Sequence, residues 1–172
     1  MNVILTGMPG SGKSTLGVLL AKALGYGFID ADLVIQSNEH RLLQDIIDDD
    51  GIESFLKCED RALRSIDCDN TVIATGGSAV LSPSAMDHLK RLGVTVYICV
   101  PCAELERRVS NITTRGIAAA KGETLSDIFE ERAPLYEKYA DVTVNTGGKS
   151  LEASVEELVQ LLSDRLHVRR RQ

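Results

Sequence analysis

Short apolar runs at Val3-Ile4-Leu5, Gly27-Phe28-Ile29, Thr71-Val72-Ile73-Ala74, Val94 to Val100 and Val142-Thr143-Val144 read as five strands. Between them, apolar residues recur at helical spacing. Leu16, Val18, Leu19, Leu20, Ala23 and Leu24 form one such segment, closed by Gly25 as a left-handed cap. Others run through Leu42 to Ile47, from Phe55 to Ile66, from Ser82-Pro83 with proline in the first turn, and from Ala103 to Val109 behind Pro101. A helix from Thr124 to about Tyr139 and a last amphipathic one marked by Leu151, Val155, Leu158, Val159 and Leu162 complete the set. Asn111 to Gly122 has no apolar period and is bounded by Gly116 and Gly122, so it reads as a mobile loop placed to act as a lid. Strands alternating with helices predict an α/β three-layer sandwich, its five-stranded parallel sheet covered on both faces and its ligands at the carboxyl ends of the strands.

The 172 residues fit one domain, expected over 1–166 with a lid at about 111–123. Arg169-Arg170-Arg171 lies in a basic tail, 167–172, expected to be disordered. A net charge of −6 and a pI near 5.1 argue against nucleic acid as a partner, because that surface needs clustered Lys and Arg. No segment approaches the ~20 apolar residues of a membrane span, and Met1-Asn2 lacks the positive region of a secretory signal. The expectation is a cytoplasmic monomer with no membrane partner. Cys99-Val100-Pro101-Cys102 sits where a strand gives way to a helix, where a thiol pKa can fall, so a redox role is a physical alternative to two reduced, partly buried thiols.

The first strand runs into Gly7-Met8-Pro9-Gly10-Ser11-Gly12-Lys13-Ser14, a complete G-x-x-x-x-G-K-[ST] phosphate loop followed by a helix. The glycines let backbone N–H groups turn inward around phosphate oxygens, Lys13 reaches the β/γ-phosphates, and the Ser14 hydroxyl can ligate Mg²⁺. Gly10, Ser11, Gly12, Lys13, Ser14 and Thr15 are therefore the nucleotide-binding candidates, with ATP and Mg²⁺ as the expected cofactors. Asp30 and Asp32 follow the second strand on the same edge. One carboxylate on Mg²⁺ and one within reach of a substrate hydroxyl is what phosphoryl transfer to an alcohol needs, so Asp30 is assigned to the metal and Asp32 to the substrate. An aspartate at a strand end can also simply cap the next helix. Arg115 in the lid can stabilise charge on the transferring phosphoryl, and Arg132 precedes Pro134, which is expected to interrupt its helix and fix a local shape.

Together these residues resemble the shikimate kinase family of small phosphate-loop enzymes, related in fold to nucleoside monophosphate kinases. The matching pieces are Gly7 to Thr15, Asp30-Ala31-Asp32, Gly51 with Phe55 and Glu59, Gly76-Gly77, Arg115, and Arg132-Ala133-Pro134-Leu135-Tyr136. The resemblance implies ATP-dependent phosphorylation of a hydroxyl on a small carboxylated acid, most directly shikimate. It also implies that Asp32, Gly76, Gly77 and Arg132 bind the substrate, and that Arg108 with the loop Thr146 to Leu151 flanks the adenine. The chain departs from the family pattern at Leu56, where an arginine helps clamp the carboxylate, at Ser78, the third glycine, at Ile52, and in the lid sequence Arg115-Gly116-Ile117-Ala118. Lys57, beside Leu56, is the substitute clamp to consider with Arg132. A kinase of another hydroxy or sugar acid, or a non-catalytic nucleotide-binding relative, stays open on these residues.

Overall fold

The computed structural model describes residues 1–109, 116–120 and 122–169, the last six of these by backbone alone. Five parallel strands, β1 (Asn2–Thr6), β2 (Gly27–Asp30), β3 (Thr71–Ala74), β4 (Gly93–Cys99) and β5 (Val142–Asn145), form one sheet in the order β2-β3-β1-β4-β5. In register, Leu5 lies beside Ala74 and Val96, and Asp30 beside Ala74. Side chains alternate across the sheet, so β1 sends Val3 and Leu5 to one face and Ile4 to the other.

The Val3 face is covered by α1 (Lys13–Leu24) and α8 (Leu151–Arg169), which bring Leu16, Leu20, Leu158 and Leu162 against the strands. The Ile4 face packs on residues of α4 (Ile52–Ser65), α5 (Pro83–Leu92), α6 (Cys102–Arg108) and α7 (Leu125–Tyr139), including Leu63, Leu89, Leu105 and Ile128. A smaller apolar cluster joins α2 (Ala31–Glu39), α3 (Leu43–Asp50) and α4 through Ile35, Ile46, Phe55 and Ala62, and Ala118 seals it. At ~25 cal/mol per Å², each buried Leu or Ile in these layers contributes about 1.5–3 kcal/mol.

Two expectations need correction. Pro134 does not interrupt its helix: α7 runs through it to Tyr139. Proline removes one backbone donor, yet Ile128, Arg132 and Tyr136 are all buried at four-residue spacing, and Thr124 and Asp127 close a full capping box at the start. Burial of that stripe holds the helix across the missing bond. The last helix reaches Arg169, three residues past the expected domain end at 166, so the basic tail begins as helix. Residues 111–115 of the expected lid, Arg115 included, and residue 121 lie outside the described residues. No helix among the described residues is long and apolar enough to cross a membrane.

Candidate active site

Strand order decides where the chemistry gathers. β3 lies between β2 and β1, so the end of β2 at Asp30, the turn Thr75-Gly76-Gly77-Ser78 after β3, and the phosphate loop after β1 emerge side by side. Thr75 ties two of them together, its N–H and its hydroxyl both donating to the Leu5 carbonyl at 3.1 Å. A cavity of about 290 Å³ opens there. Its walls include Gly10, Gly12, Lys13, Ser14, Thr15, Asp32, Phe55, Glu59, Gly76, Gly77, Ser78, Ala118 and Arg132.

The phosphate loop is shaped by close approach. Gly10, at φ 80°, has no room for a side chain, since a Cβ there would meet the Val109 Cγ2 at 2.3 Å. Gly12 is left-handed at φ 89° and starts α1 with no side-chain cap, which leaves first-turn amides directed at an anion. Ser14 and Thr15 are exposed at the cavity wall, whereas Ser11 is buried and does not line it. The Lys13 ammonium donates to the Gly7 carbonyl at 2.8 Å and the Met8 carbonyl at 2.9 Å. Burial pulls its pKa down to about 8, against the opposing fields of Asp32, Asp30 and Glu59.

Asp30 and Asp32 are both half-buried and differ in what they face. The Asp30 Oδ1 accepts the Asp32 N–H at 3.0 Å and so caps α2, the structural role that an aspartate at a strand end can take. It is not among the cavity-lining residues. Asp32 is, and burial, reinforced by Asp30, raises its carboxyl above the usual range while Lys13 holds it down. Ser14 and Asp30 offer hydroxyl and carboxylate oxygens, the hard donors suited to Mg²⁺, and the described residues contain no group of three His, Cys, Asp or Glu side chains that could hold a metal alone. That donor set fits an ion that arrives on nucleotide phosphates.

The same cavity is lined by two buried charged groups with unused hydrogen-bonding capacity. Arg132, 2% exposed, donates through Nη2 to the Ala118 carbonyl, while Nη1 and Nε have no hydrogen-bond partner; the Glu131 carboxylate lies 3.5 Å from Nε. Glu59, also 2% exposed, has Oε1 unpartnered and Oε2 receiving the Ser78 hydroxyl at 2.5 Å. Burial pushes its pKa up to about 7, with Asp32 adding to the rise and Ser78, Arg132 and Lys13 opposing it. Gly76 makes room for both carboxylates: a Cβ there would sit 2.2 Å from Glu59 Oε1 and 3.0 Å from Asp32 Oδ1. Tyr136 stacks on Tyr97 with centroids 5.1 Å apart and donates its hydroxyl to the Gly77 carbonyl at 2.5 Å, fixing the turn.

Lys57 does not join this set. It is 66% exposed, pairs with Glu53 at 2.7 Å one turn back on α4, and lines no part of the cavity, because one helical step rotates a side chain by about 100°. Leu56 is half-buried and packs against the small apolar cluster instead of walling the cavity. Arg108 also lies off the cavity, paired with Glu104, whose other oxygen accepts the Gly148 N–H at 3.1 Å. The carboxylate thus links Arg108 to the loop expected beside it. The Cys102 thiol is pushed up by burial and by Glu106, opposite to the lowering that a helix start can give, so it is no thiolate nucleophile at neutral pH.

Glu59 and Tyr136 carried a signal that residue spacing alone did not turn into roles. On α4, Phe55, Glu59, Ala62 and Leu63 share one stripe, and a carboxylate on an otherwise apolar stripe is the kind of buried polar group that needs a partner. A family model described as shikimate kinase matches residues 9–163. The chain belongs to the shikimate kinase family. The shikimate kinase of Nitrosomonas europaea is 40% identical over 167 residues, covering 94% of this chain and 78% of that one. That of Mycobacterium tuberculosis is 36% identical, with 92% of each covered. Among solved structures, the Aquifex aeolicus shikimate kinase superposes with a TM-score of 0.84 at 31% identity, covering 96% and 98% of the two chains. The Acinetobacter baumannii shikimate kinase, solved with shikimate, gives 0.82 at 28% identity, covering 95% and 93%.

Proposed function

We propose that this member of the shikimate kinase family transfers the terminal phosphoryl group of ATP to a hydroxyl of shikimate, giving shikimate 3-phosphate and ADP. The observation that carries the reading is one cavity lined both by the phosphate loop and by Asp32, Glu59 and Arg132. A phosphate cradle sharing its cavity with a carboxylate and an arginine suits an acceptor that is both an alcohol and an acid.

Each residue has a distinct task. The loop amides and Lys13 hold the β/γ-phosphates, so Lys13 exchanges its carbonyl partners Gly7 and Met8 for phosphate oxygens as the nucleotide enters. Asp32 accepts a hydrogen bond from the attacking hydroxyl, orients it toward the phosphorus and takes its proton as the new P–O bond forms. Its raised pKa makes it a better proton acceptor than an ordinary aspartate. Arg132 grips the acceptor carboxylate through Nη1, a buried donor without a hydrogen-bond partner. Ser14 and Asp30 would hold Mg²⁺, which neutralises charge on the phosphates when bound. Arg108, Gly148 and the Glu104 between them stand beside the nucleoside end. The reading has the enzyme act on freely diffusing metabolites in the cytoplasm.

The test couples ADP release to added shikimate and repeats it with Asp32→Asn. Expected are shikimate-dependent ADP release in the wild type, and in the variant a loss of transfer with ATP affinity unchanged. ADP release that ignores shikimate contradicts the reading.

A further inference from the structure

Glu59 is a buried carboxyl in the cavity wall to which the transfer mechanism assigns no step, and its partner Ser78 stands where the family pattern has glycine. The residue at 78 does not need glycine's freedom. Its φ of −94° and ψ of −6° are right-handed, and it opens a short 3-10 turn, Ala79–Leu81, in which its carbonyl accepts the Leu81 N–H at 2.9 Å. The turn and the Tyr136 bond to the adjacent Gly77 carbonyl hold the Ser78 backbone, so the hydroxyl is presented to Glu59 from a fixed base. Along α4, the residues one turn before Glu59, Phe55 and Leu56, have no donor to offer. The hydrogen bond that orients the carboxyl therefore comes from across the site.

We infer that Ser78 is a positioning residue for the acceptor: it pins Glu59 Oε2 so that Oε1 faces the cavity beside Asp32 and accepts a hydrogen bond from an acceptor hydroxyl other than the one phosphorylated. Two facts converge on this. Glu59 Oε1 is buried without a partner, a cost that a ligand hydroxyl removes on binding. The Oε1 and the Asp32 Oδ1 both lie within 3.0 Å of the one point that a Gly76 side chain would fill, so both address the same part of the cavity. A glutamate has three rotatable bonds; with one oxygen pinned, the other keeps its aim. The charged groups facing Glu59 are Asp32 from α2, Lys13 from α1 and Arg132 from α7. The ligand class is a carboxylic acid with at least two hydroxyls, and the inference rests on the acceptor reading given above.

The test is steady-state kinetics of Ser78→Ala, with Ser78→Thr as the variant that keeps the hydroxyl. Ser78→Gly replaces the alanine variant if that one fails to fold. Removing the hydroxyl is expected to raise the KM for shikimate about tenfold, the loss of one hydrogen bond to a charged group, with the KM for ATP within twofold of wild type. Glu59 accepts best when ionised, so in the wild type the shikimate KM falls as pH rises through about 7. Ser78 favours the ionised form, and without it that inflection moves to higher pH. Threonine restores both. A hydroxyl-free variant whose shikimate KM and inflection match wild type overturns the inference while leaving the kinase reading intact, and so does a parallel rise in the ATP KM. Wild-type enzyme that does not turn over shikimate overturns both.

Discussion

Replacing Arg132 by lysine keeps the positive charge and removes the planar fork, which isolates what the geometry contributes. Arg132 is 2% exposed, and its buried Nε and Nη1 have no hydrogen-bond partner. A buried guanidinium is costly unless its donors are satisfied; the Glu131 carboxylate stands 3.5 Å from Nε, so Nη1 is the donor held ready for an anion. A charge-assisted bond to a carboxylate is worth about 1.5–3 kcal/mol, and lysine, a point charge on a flexible stem, cannot serve the Ala118 carbonyl and the acceptor from one planar group. Loss of one such bond weakens shikimate binding about ten- to a hundredfold. Arg132→Lys also leaves the Ala118 carbonyl without its donor, so the ATP KM and the melting temperature serve as controls for the surrounding fold. Calorimetric titration of shikimate into both proteins, with coupled ADP release for ATP, reads the effect. Shikimate affinity within threefold of wild type in a well-folded variant refutes the assignment of Arg132 to the acceptor carboxylate.

Gly76→Ala places a methyl group 2.2 Å from Glu59 Oε1 and 3.0 Å from Asp32 Oδ1, so the acceptor KM is expected to rise by more than about tenfold, with the ATP KM little changed; initial-rate kinetics in both substrates checks this. Glu59 takes up its proton near pH 7 in the folded chain against an ordinary value of 4.5. Between those values the folded state holds a proton that the unfolded chain has lost, so stability falls as pH rises through that window, by up to about 3 kcal/mol. Glu59→Gln removes this term, and melting curves from pH 4 to 8 should show the variant gaining on wild type as pH rises. Cys99→Ser combined with Cys102→Ser is expected to leave kinase activity within about twofold, because the Cys102 thiol is raised and not activated; a loss of more than about tenfold in the same coupled assay points to a thiol role.

The sheet and the phosphate loop were legible because each rests on local signals. Unbroken apolar runs mark buried parallel strands, and Gly7 to Ser14 is a contiguous motif whose backbone geometry follows from its own residues. Pro134 misled because a local rule was overridden by burial of Ile128, Arg132 and Tyr136 on one stripe. The pairing of Ser78 with Glu59 could not be read from spacing, since the two stand 19 residues apart on different elements and meet only when β3 inserts between β1 and β2. Lys57 failed for the converse reason: adjacency in sequence on a helix sends neighbours to different faces. Asp30 and Asp32 illustrate the middle ground, since the sequence located both but only the cap at Asp32 N–H shows how the first aspartate is oriented.

The central claim is that the cavity joining the phosphate loop to Asp32, Glu59 and Arg132 moves a phosphoryl group from ATP to shikimate. Phosphorus NMR of the enzyme with ATP, Mg²⁺ and shikimate tests it most directly. The account predicts ADP and a new phosphate monoester resonance growing in equal amounts, dependent on shikimate and absent with Asp32→Asn. ADP accompanied only by inorganic phosphate, or no change in the ATP resonances, contradicts it.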